Sequence, residues 1–572
     1  MPKMKSLPFL LVCLTVASAK AEVNVSGLQS AEHENVLLTM ALAKEPCSSP
    51  EWKIRHLFAN ADADIDEALR ALGFYHAEIS KTLNFKEACW QADFNVKAGP
   101  PTLIESVSIA LSGEAKDDAD FQKLLAKLSA AKGMVLHHDF YEKMKHRIDA
   151  LAQEKGYLKS QFTEHQLLID KANNSAAIKL SFESGKRLFF GAITIQQDSL
   201  NPDFVKQYLP IKTGDYYTGA GLAKTYTVFS NSDYFKTIAI RPDTEGIQAN
   251  QIPVNITLTP KPKYHYSGGL GFDTDIGPLL SGSFINRRLN RRGHYLTANI
   301  DISPVLSTAD AEYNIPLSHP VTDSFSLGGG LKREDNQSYR SLSAKLAGRL
   351  KHAYSDGWKQ TLALDLSYED FVTGATSGQT FLLVPSASWL RTKTDDLLRP
   401  SNGYRVQFDV SGSHQSLLSS VSFAQALFSG TLIHPAFGDA KWIAHTDLGA
   451  TLADPFARLP TTYRFYAGGL NSVRGYAYRE LGPKDSAGAV EGGRYLTTLS
   501  AEYEQPILKD WALAAFIDSG NAYNSSKINL KTGVGLGIRW FSPIGPVRLD
   551  VGIPLNESKS SFQIHFSAGS RL

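Results

Sequence analysis

Apolar and polar residues follow two different spacings along this 572-residue chain. Up to about residue 263, stretches with helical spacing of apolar residues are followed by short segments of one-by-one alternation. From Tyr264 onward the helical spacing disappears. Residues 404–411, for example, put Tyr, Val, Phe and Val on one face and Arg, Gln, Asp and Ser on the other. The pattern predicts a mixed α+β first half and an all-β second half.

The first half contains three similar units. In each unit a helical stretch is followed by a glycine or polar residue with aromatics, and then by an alternating strand. The aromatic residues Phe74, Tyr157 and Phe235 mark this point in the three units and lie about 80 residues apart, a spacing typical of tandem domains. We therefore predict small α+β domains at 22–98, 99–186 and 187–263. Coincidence among ordinary α+β segments is the alternative.

The second half has one apolar face and one charged face on each strand, which suits a soluble β-sandwich or a membrane barrel. Full charges on the polar face favour the barrel, because a dry sandwich core excludes them whereas a wet lumen accepts them. Aromatic residues also stand at the strand ends, where a membrane interface would lie. At roughly 10 residues a strand plus turns, residues 264–572 predict about 14 to 16 strands. We take 16 strands in a transmembrane antiparallel β-barrel as the prediction.

The N-terminus has the pattern of a secretory signal. Lys3 and Lys5 precede an apolar stretch at 7–16 that is too short to span a bilayer, and Ala-Lys-Ala at 19–21 fits a cleavage site. Residues 1–21 are therefore predicted to be a signal peptide, with an uncleaved anchor as the alternative. No later segment has 18 consecutive apolar residues, so a helical membrane protein is excluded.

Charge and cysteine content further restrict the class of protein to which the chain can belong. The 59 Lys and Arg residues nearly balance the 57 Asp and Glu residues, which gives no indication of nucleic-acid binding. Cys47 and Cys89 remain after the signal and predict either one disulfide or two separate buried thiols. Their spacing fits no metal site, and the chain lacks a G-x-S-x-G elbow. We expect neither an enzyme nor a cofactor.

One arginine in the second half stands out. Arg474 lies among small and aromatic residues in the segment 465–476, and an arginine buried there needs an acidic partner or open water. Asp518 is a candidate partner, because it shares a strand face with Phe516 by the two-residue period.

Three short motifs stand out in this half: Val-Arg-Gly-Tyr at Val473, Arg474, Gly475 and Tyr476, an F-x-D-x-G strand at Phe516, Asp518 and Gly520, and the strand around Glu502. Together with the α+β units and the barrel they resemble the outer-membrane insertase superfamily, which contains BamA, TamA and the two-partner secretion exporters. In that family a V-R-G-F/Y tip on a long loop folds back into the barrel lumen, so the resemblance implies that Arg474 pairs with Asp518 and, as a weaker candidate, Glu502.

The same resemblance makes the three α+β units POTRA domains, and three of them match the TamA branch. It implies a protein of the bacterial outer membrane, in contact with its lipid and with POTRA domains in the periplasm. Such a protein inserts unfolded outer-membrane proteins, autotransporters among them, and works with a TamB-like, inner-membrane-anchored periplasmic partner. A two-partner secretion exporter and a passive outer-membrane channel are the alternatives.

The first and last strands of the predicted barrel suggest a weak seam at which client strands pair. Glycines weaken a strand, although they also accommodate barrel curvature. The predicted seam residues are Gly268, Gly269 and Gly271 on the first strand and Phe562, Ile564 and Phe566 on the last.

Overall fold

The computed structural model describes residues 21–86, 89–396, 399–525, 527–543, 545–557 and 562–568. The predicted signal peptide, apart from Ala21, lies outside these residues. The chain forms two compact units. One comprises the described residues up to Thr194 with Ile211–Ala223 and Arg241–Asn255. The other comprises Ile195–Pro210, Lys224–Ile240 and the described residues from Ile256 onward.

Three α+β domains occupy the first half, each with a three-stranded sheet in which the last strand lies in the middle. The first contains β1 (Glu22–Ser26), α1 (Ser30–Thr39), α2 (Glu51–Ala71), β2 (Glu78–Lys86) and β3 (Cys89–Lys97). The second contains β4 (Leu103–Ser112), α3 (Ala119–Ser129), α4 (His138–Lys155), β5 (Gln161–Asp170) and β6 (Ser175–Glu183). The third contains β7 (Phe189–Gln196), α5 (Pro202–Lys206), α6 (Gly219–Asn231), β8 (Phe235–Pro242) and β9 (Gln251–Pro260).

The core of the first domain forms where the apolar stripe of α2 meets alternate residues of β3. Ile54, Ile65 and Leu69 of α2 are fully buried, and so is Val96 of β3. Cys47 and Cys89 form a disulfide that closes a 42-residue separation. The sequence left open a disulfide or two separate thiols, and the structure contains the disulfide.

Within the first unit, the glycine after a helical stretch contacts the start of the following domain in the same way twice. The carbonyl of Gly73 accepts a hydrogen bond from Thr102 N (2.9 Å), and the carbonyl of Gly156 accepts one from Leu188 N (3.0 Å). Both glycines have positive φ, 91° and 90°. A Cβ at either position would lie 2.2 Å or 2.4 Å from a carbonyl oxygen, which explains why glycine ends both helical stretches. The repeat seen in the sequence is thus a repeat of backbone contacts.

The second half is a closed antiparallel barrel of 16 strands, as predicted. Each strand pairs with its neighbours in sequence, and the first pairs with the last. Its strands are β10 (Tyr264–Asp273), β11 (Gly277–Asn286), β12 (Tyr295–Ile302), β13 (Leu306–Pro316), β14 (Asp323–Asp335), β15 (Tyr339–Ala353), β16 (Trp358–Thr373), β17 (Thr376–Thr394), β18 (Gly403–Ser413), β19 (Phe423–Pro435), β20 (Lys441–Ala453), β21 (Tyr495–Leu508), β22 (Trp511–Tyr523), β23 (Lys531–Ser542), β24 (Gly545–Pro554) and β25 (Gln563–Ala568).

Strand alternation decides which side chains point into the barrel. In β22, Leu513 and Ile517 are about half exposed, at 48% and 51%, whereas Phe516 and Asp518 are buried. The exposed apolar positions form the outer face, and the buried position of Asp518 belongs to the inner face. No helix among the described residues is long and apolar enough to cross a membrane.

Within the second unit, the turn between β11 and β12 binds residues of the third domain. Arg287 Nε donates to Asp233 Oδ2 (2.8 Å), and the Tyr234 hydroxyl donates to the Gly293 carbonyl (2.5 Å). These buried or half-buried contacts tie the start of the barrel to the segment that precedes it in sequence.

Candidate functional site

The Arg474 motif lies in residues 454–494, which join β20 to β21 and which we call the lumen loop. Val473 and Tyr476 are buried together with Ala467 and Leu481 in a small apolar cluster. Every described polar partner of Arg474 is an inward-facing residue of the barrel wall. The loop therefore folds back into the barrel interior instead of projecting outward.

Arg474 and Asp518 make the most direct contact between the loop and the wall. Arg474 Nε donates to Asp518 Oδ2 (2.7 Å) and Nη2 donates to Oδ1 (3.0 Å), which is the two-pronged geometry that suits a guanidinium and a carboxylate. The backbone N–H of Arg474 adds a third bond to Asp518 (3.1 Å). The guanidinium also stacks on the ring of Phe516, 3.5 Å from its centre.

Two more carboxylates and a second arginine complete the site. Arg474 Nη1 donates to Glu502 (2.6 Å) and to Asp550 (3.3 Å). Arg539 of β23 donates to the same two carboxylates at 2.9 Å and 2.6 Å. We call Arg474, Arg539, Glu502, Asp518 and Asp550 the ion cluster. Every carboxylate oxygen in it accepts at least one hydrogen bond.

The ion cluster is almost completely removed from water, since none of its residues is more than 8% exposed. A buried charge without a partner is strongly destabilising, so each member holds the others in place. All of these groups are engaged with one another, and no described carboxylate in the cluster is left to act as a general base. The arrangement is that of a latch that holds the loop to the wall. Among the described residues there is also no group of His, Cys, Asp and Glu that could hold a metal ion.

Two wall glycines make room for the backbone of the loop tip. A Cβ at Gly533 of β23 would lie 1.8 Å from the Arg474 carbonyl oxygen, and a Cβ at Gly552 of β24 would lie 2.6 Å from Gly475 N. Any larger residue at either position would displace the tip. Sequence reasoning missed both glycines, because their importance depends on which loop residue approaches them.

Sequence reasoning also missed Asp550 and Arg539 as cluster members. Asp550 stands on the polar face of its alternating strand, and Arg539 lies between the outward residues Ile538 and Trp540. The alternation therefore placed both inside the barrel. Nothing in the sequence showed that they meet Glu502, because that depends on the register between strands.

The far side of the lumen loop is held by another buried carboxylate. Glu369 of β16 accepts hydrogen bonds from Thr461 N (2.9 Å) and the Thr462 hydroxyl (2.6 Å). Close by, Arg464 of the loop donates to three backbone carbonyls at 2.8–2.9 Å. The loop is thus fixed to opposite parts of the wall, and it crosses the lumen between them.

The remaining predicted residues fall as follows. Gly520 lies on β22 opposite Thr498, and Tyr476 packs in the loop cluster, where its hydroxyl has no hydrogen-bond partner among the described residues. At the seam, Gly268, Gly269 and Gly271 lie on β10, and Ile564 and Phe566 lie on β25. Phe562 was predicted to belong to the last strand, but β25 begins one residue later, at Gln563.

The fold and site define a barrel with POTRA-like domains before it and an arginine-latched loop inside it. Comparisons with known protein families agree with this architecture. Residues 288–572 match the Omp85 superfamily domain, and residues 22–98 match a POTRA domain described as TamA domain 1. The chain therefore carries an Omp85 superfamily domain and a TamA-type POTRA domain.

Two individual proteins that resemble this chain share about a quarter of its residues over the aligned part. The outer membrane protein assembly factor BamA of Nitratidesulfovibrio vulgaris is 24% identical over 427 residues, covering 70% of this chain and 53% of that protein. BamA of Neisseria meningitidis serogroup B is 26% identical over 293 residues, covering 44% of this chain and 34% of that protein. This chain thus spans about half or less of the length of these two relatives.

A solved structure supports the fold. The crystal structure of BamA from Haemophilus ducreyi lacking POTRA domains 1–3 covers 82% of this chain and 99% of its own, with a TM-score of 0.67 at 14% identity. At that identity the likeness shows a shared fold and no more.

Removing either partner of the Arg474–Asp518 pair should weaken the barrel strongly, because it leaves a buried charge unpaired. We expect Arg474→Ala and Asp518→Ala each to lower the free energy of unfolding in urea by about 3–5 kcal/mol. The double variant should lose less than the sum, because both changes remove the same pair. Arg458→Ala, in an exposed part of the same loop, is the control.

An exchange of the two charges should not restore stability. A carboxylate at position 474 would face Glu502 and Asp550 as well as an arginine at 518. Strictly additive losses, or full recovery in the exchanged variant, would contradict the ion cluster.

The steric role of the wall glycines can be tested without changing any charge. Gly552→Ala should displace the loop tip and destabilise the barrel by about 1–3 kcal/mol, as overpacking does. Gly348→Ala on β15 is the matched control, because its Cβ would meet nothing closer than 3.8 Å. Equal urea midpoints for the two variants would count against the close approach.

Proposed function

We propose that this protein is an outer-membrane protein assembly factor that inserts β-barrel clients by pairing their strands at the seam between β10 and β25. It does so without covalent chemistry. The driving force is the backbone hydrogen bonding of the client strand and the burial of its apolar face in lipid. This function places the protein in the bacterial outer membrane with its POTRA domains in the periplasm.

The observation that carries the proposal is that the barrel closes where its first and last strands meet. In the described residues, β10 and β25 share two register pairs, Phe272 with Ala568 and Asp273 with Ser567. The earlier part of β10 has its other edge paired with β11. The edge of a strand at such a closure becomes a template for another strand when the two strands part.

The lumen loop argues against a passive channel. A channel needs an open lumen, whereas this loop crosses the barrel and is fixed at Glu369 on one side and at the ion cluster on the other. The same latch fits a protein whose barrel must stay closed to solutes while its wall admits a client strand.

A reversible crosslink tests whether the seam takes part in insertion. Phe272→Cys with Ala568→Cys places two thiols on facing residues of β10 and β25. Because the native Cys47 and Cys89 are already bonded, the new thiols can be oxidised separately. We expect oxidation to reduce client insertion into liposomes at least about tenfold, and reduction to restore it.

Two controls accompany the crosslink. Wild-type protein under the same reductant reports any effect of opening the native disulfide. Ala501→Cys with Ile517→Cys locks β21 to β22, which are extensively paired and are separated from the seam by β23 and β24. Unchanged insertion with the seam locked, or an equal loss with β21 locked to β22, would contradict strand pairing at the seam.

We further propose that the protein is of the TamA type. In that case its clients include autotransporters, and a TamB-like, inner-membrane-anchored periplasmic protein docks on the POTRA domains. The TamA-type match of residues 22–98 and the presence of three α+β domains support this proposal.

Site-specific photo-crosslinking tests the partner. A photoreactive residue in place of Trp52, which is 72% exposed on the first domain, should capture the TamB-like protein. Leu418, 74% exposed in the barrel turn between β18 and β19, is the matched control position. Absence of TamB-like protein at position 52, or equal capture at position 418, would remove the TamA-type assignment and leave the seam experiment unaffected.

A further inference from the structure

The tip of the lumen loop binds both strands that border the seam. Leu470 N donates to Asp275 Oδ2 (2.8 Å), in the turn that follows β10. Gly475 N donates to His565 Nε2 (2.9 Å), on β25. Gly475 directly follows the latched Arg474, so one short segment connects the ion cluster to both ends of the barrel sheet.

The two wall residues also face each other. His565 Nδ1 lies 3.8 Å from Asp275 Oδ1, and both side chains are nearly buried. A backbone N–H can only donate, so His565 Nε2 must accept from Gly475, and the neutral ring carries its proton on Nδ1. That proton then points toward the Asp275 carboxylate, and one ring orientation serves both contacts.

These contacts continue the backbone ladder of the seam on its inner side. The ladder contains Phe272 with Ala568 and Asp273 with Ser567. Thr274 extends it, because its N–H donates to the Phe566 carbonyl (2.9 Å) and its hydroxyl oxygen accepts from Phe566 N (3.1 Å). Asp275 and His565 are the next residues in line on the two strands. The loop tip therefore supplies the bonds that follow where the strands' own pairing ends.

We propose that Asp275 and His565 are positioning residues of a clasp, through which the lumen loop holds β10 against β25. When the tip is released, the hydrogen bonds to Asp275 and His565 on the two sides of the seam are lost together, and the C-terminal end of β10 is freed. The ion cluster thereby controls the seam through Gly475, although none of its charged groups lies on β10 or β25. The part that this clasp plays in client insertion rests on the proposed function, whereas the clasp itself does not.

Hydrogen exchange in the full-length protein in liposomes tests the clasp. His565→Phe keeps a ring but removes the acceptor, and it should speed amide exchange in residues 470–476 and in β10 at least about fivefold, the factor that matches one lost buried hydrogen bond of about 1 kcal/mol. Asp275→Ala approaches the clasp from the other strand and should give the same pattern. Heat-modified migration on gels verifies that each variant still forms a folded barrel.

Two further variants separate positioning from mere packing. His565→Gln keeps an acceptor for Gly475 N and a donor for Asp275, so exchange should return to within about twofold of wild type. His445→Phe is the matched control, because His445 of β20 is also an inward histidine, bonded to Thr431 of β19 and to Asp447 of β20. Unchanged exchange in both His565→Phe and Asp275→Ala, no rescue by His565→Gln, or an equal effect of His445→Phe would overturn the clasp.

Client insertion measured on the same variants distinguishes the two proposals. Faster exchange together with altered insertion supports both. Faster exchange with insertion at the wild-type rate supports the clasp and counts against insertion at the seam.

Discussion

The rest of the barrel interior depends on one electrostatic constraint: three carboxylates buried on β21, β22 and β24 need arginines. One of these arginines, Arg539, belongs to the wall itself and binds Glu502 and Asp550. Asp518 receives its bonds from Arg474, which lies on a loop. Uncompensated buried charge costs several kcal/mol, so the folded barrel requires the loop to be inside. The loop's position is thus a condition of the wall's stability as well as a result of its own sequence.

Several features of the chain serve that placement. The two-residue period of the strands aims the acidic side chains inward, and Gly533 and Gly552 let the loop backbone reach them. On the far side Glu369 holds the beginning of the loop by accepting from backbone and hydroxyl groups. The tip then reaches Asp275 and His565, so that a charge interaction within the lumen is coupled to the pairing of the first and last strands.

The sequence was most informative where a pattern is local. Alternation predicted a barrel of 16 strands after α+β domains, and the structure confirms that fold. The pairing of Arg474 with Asp518 was accessible, because the resemblance supplied both motifs and the period placed Asp518 on the inner face. Asp550 and Arg539 were not recognised, since which inward residues meet depends on the register of strands distant in sequence. The wall glycines and His565 have the same limitation: their roles exist only once the loop is in place.

The central claim is that the ion cluster keeps the loop tip inside the barrel, and thiol reactivity measures it directly. Val473 is fully buried beside Arg474. Val473→Cys should be almost inert to a hydrophilic maleimide in the intact membrane-embedded protein, and the same substitution combined with Asp518→Ala should react at least about tenfold faster, as expected when a local opening becomes easier by about 1.4 kcal/mol or more. Equal reactivity of position 473 with and without Asp518 would contradict the account.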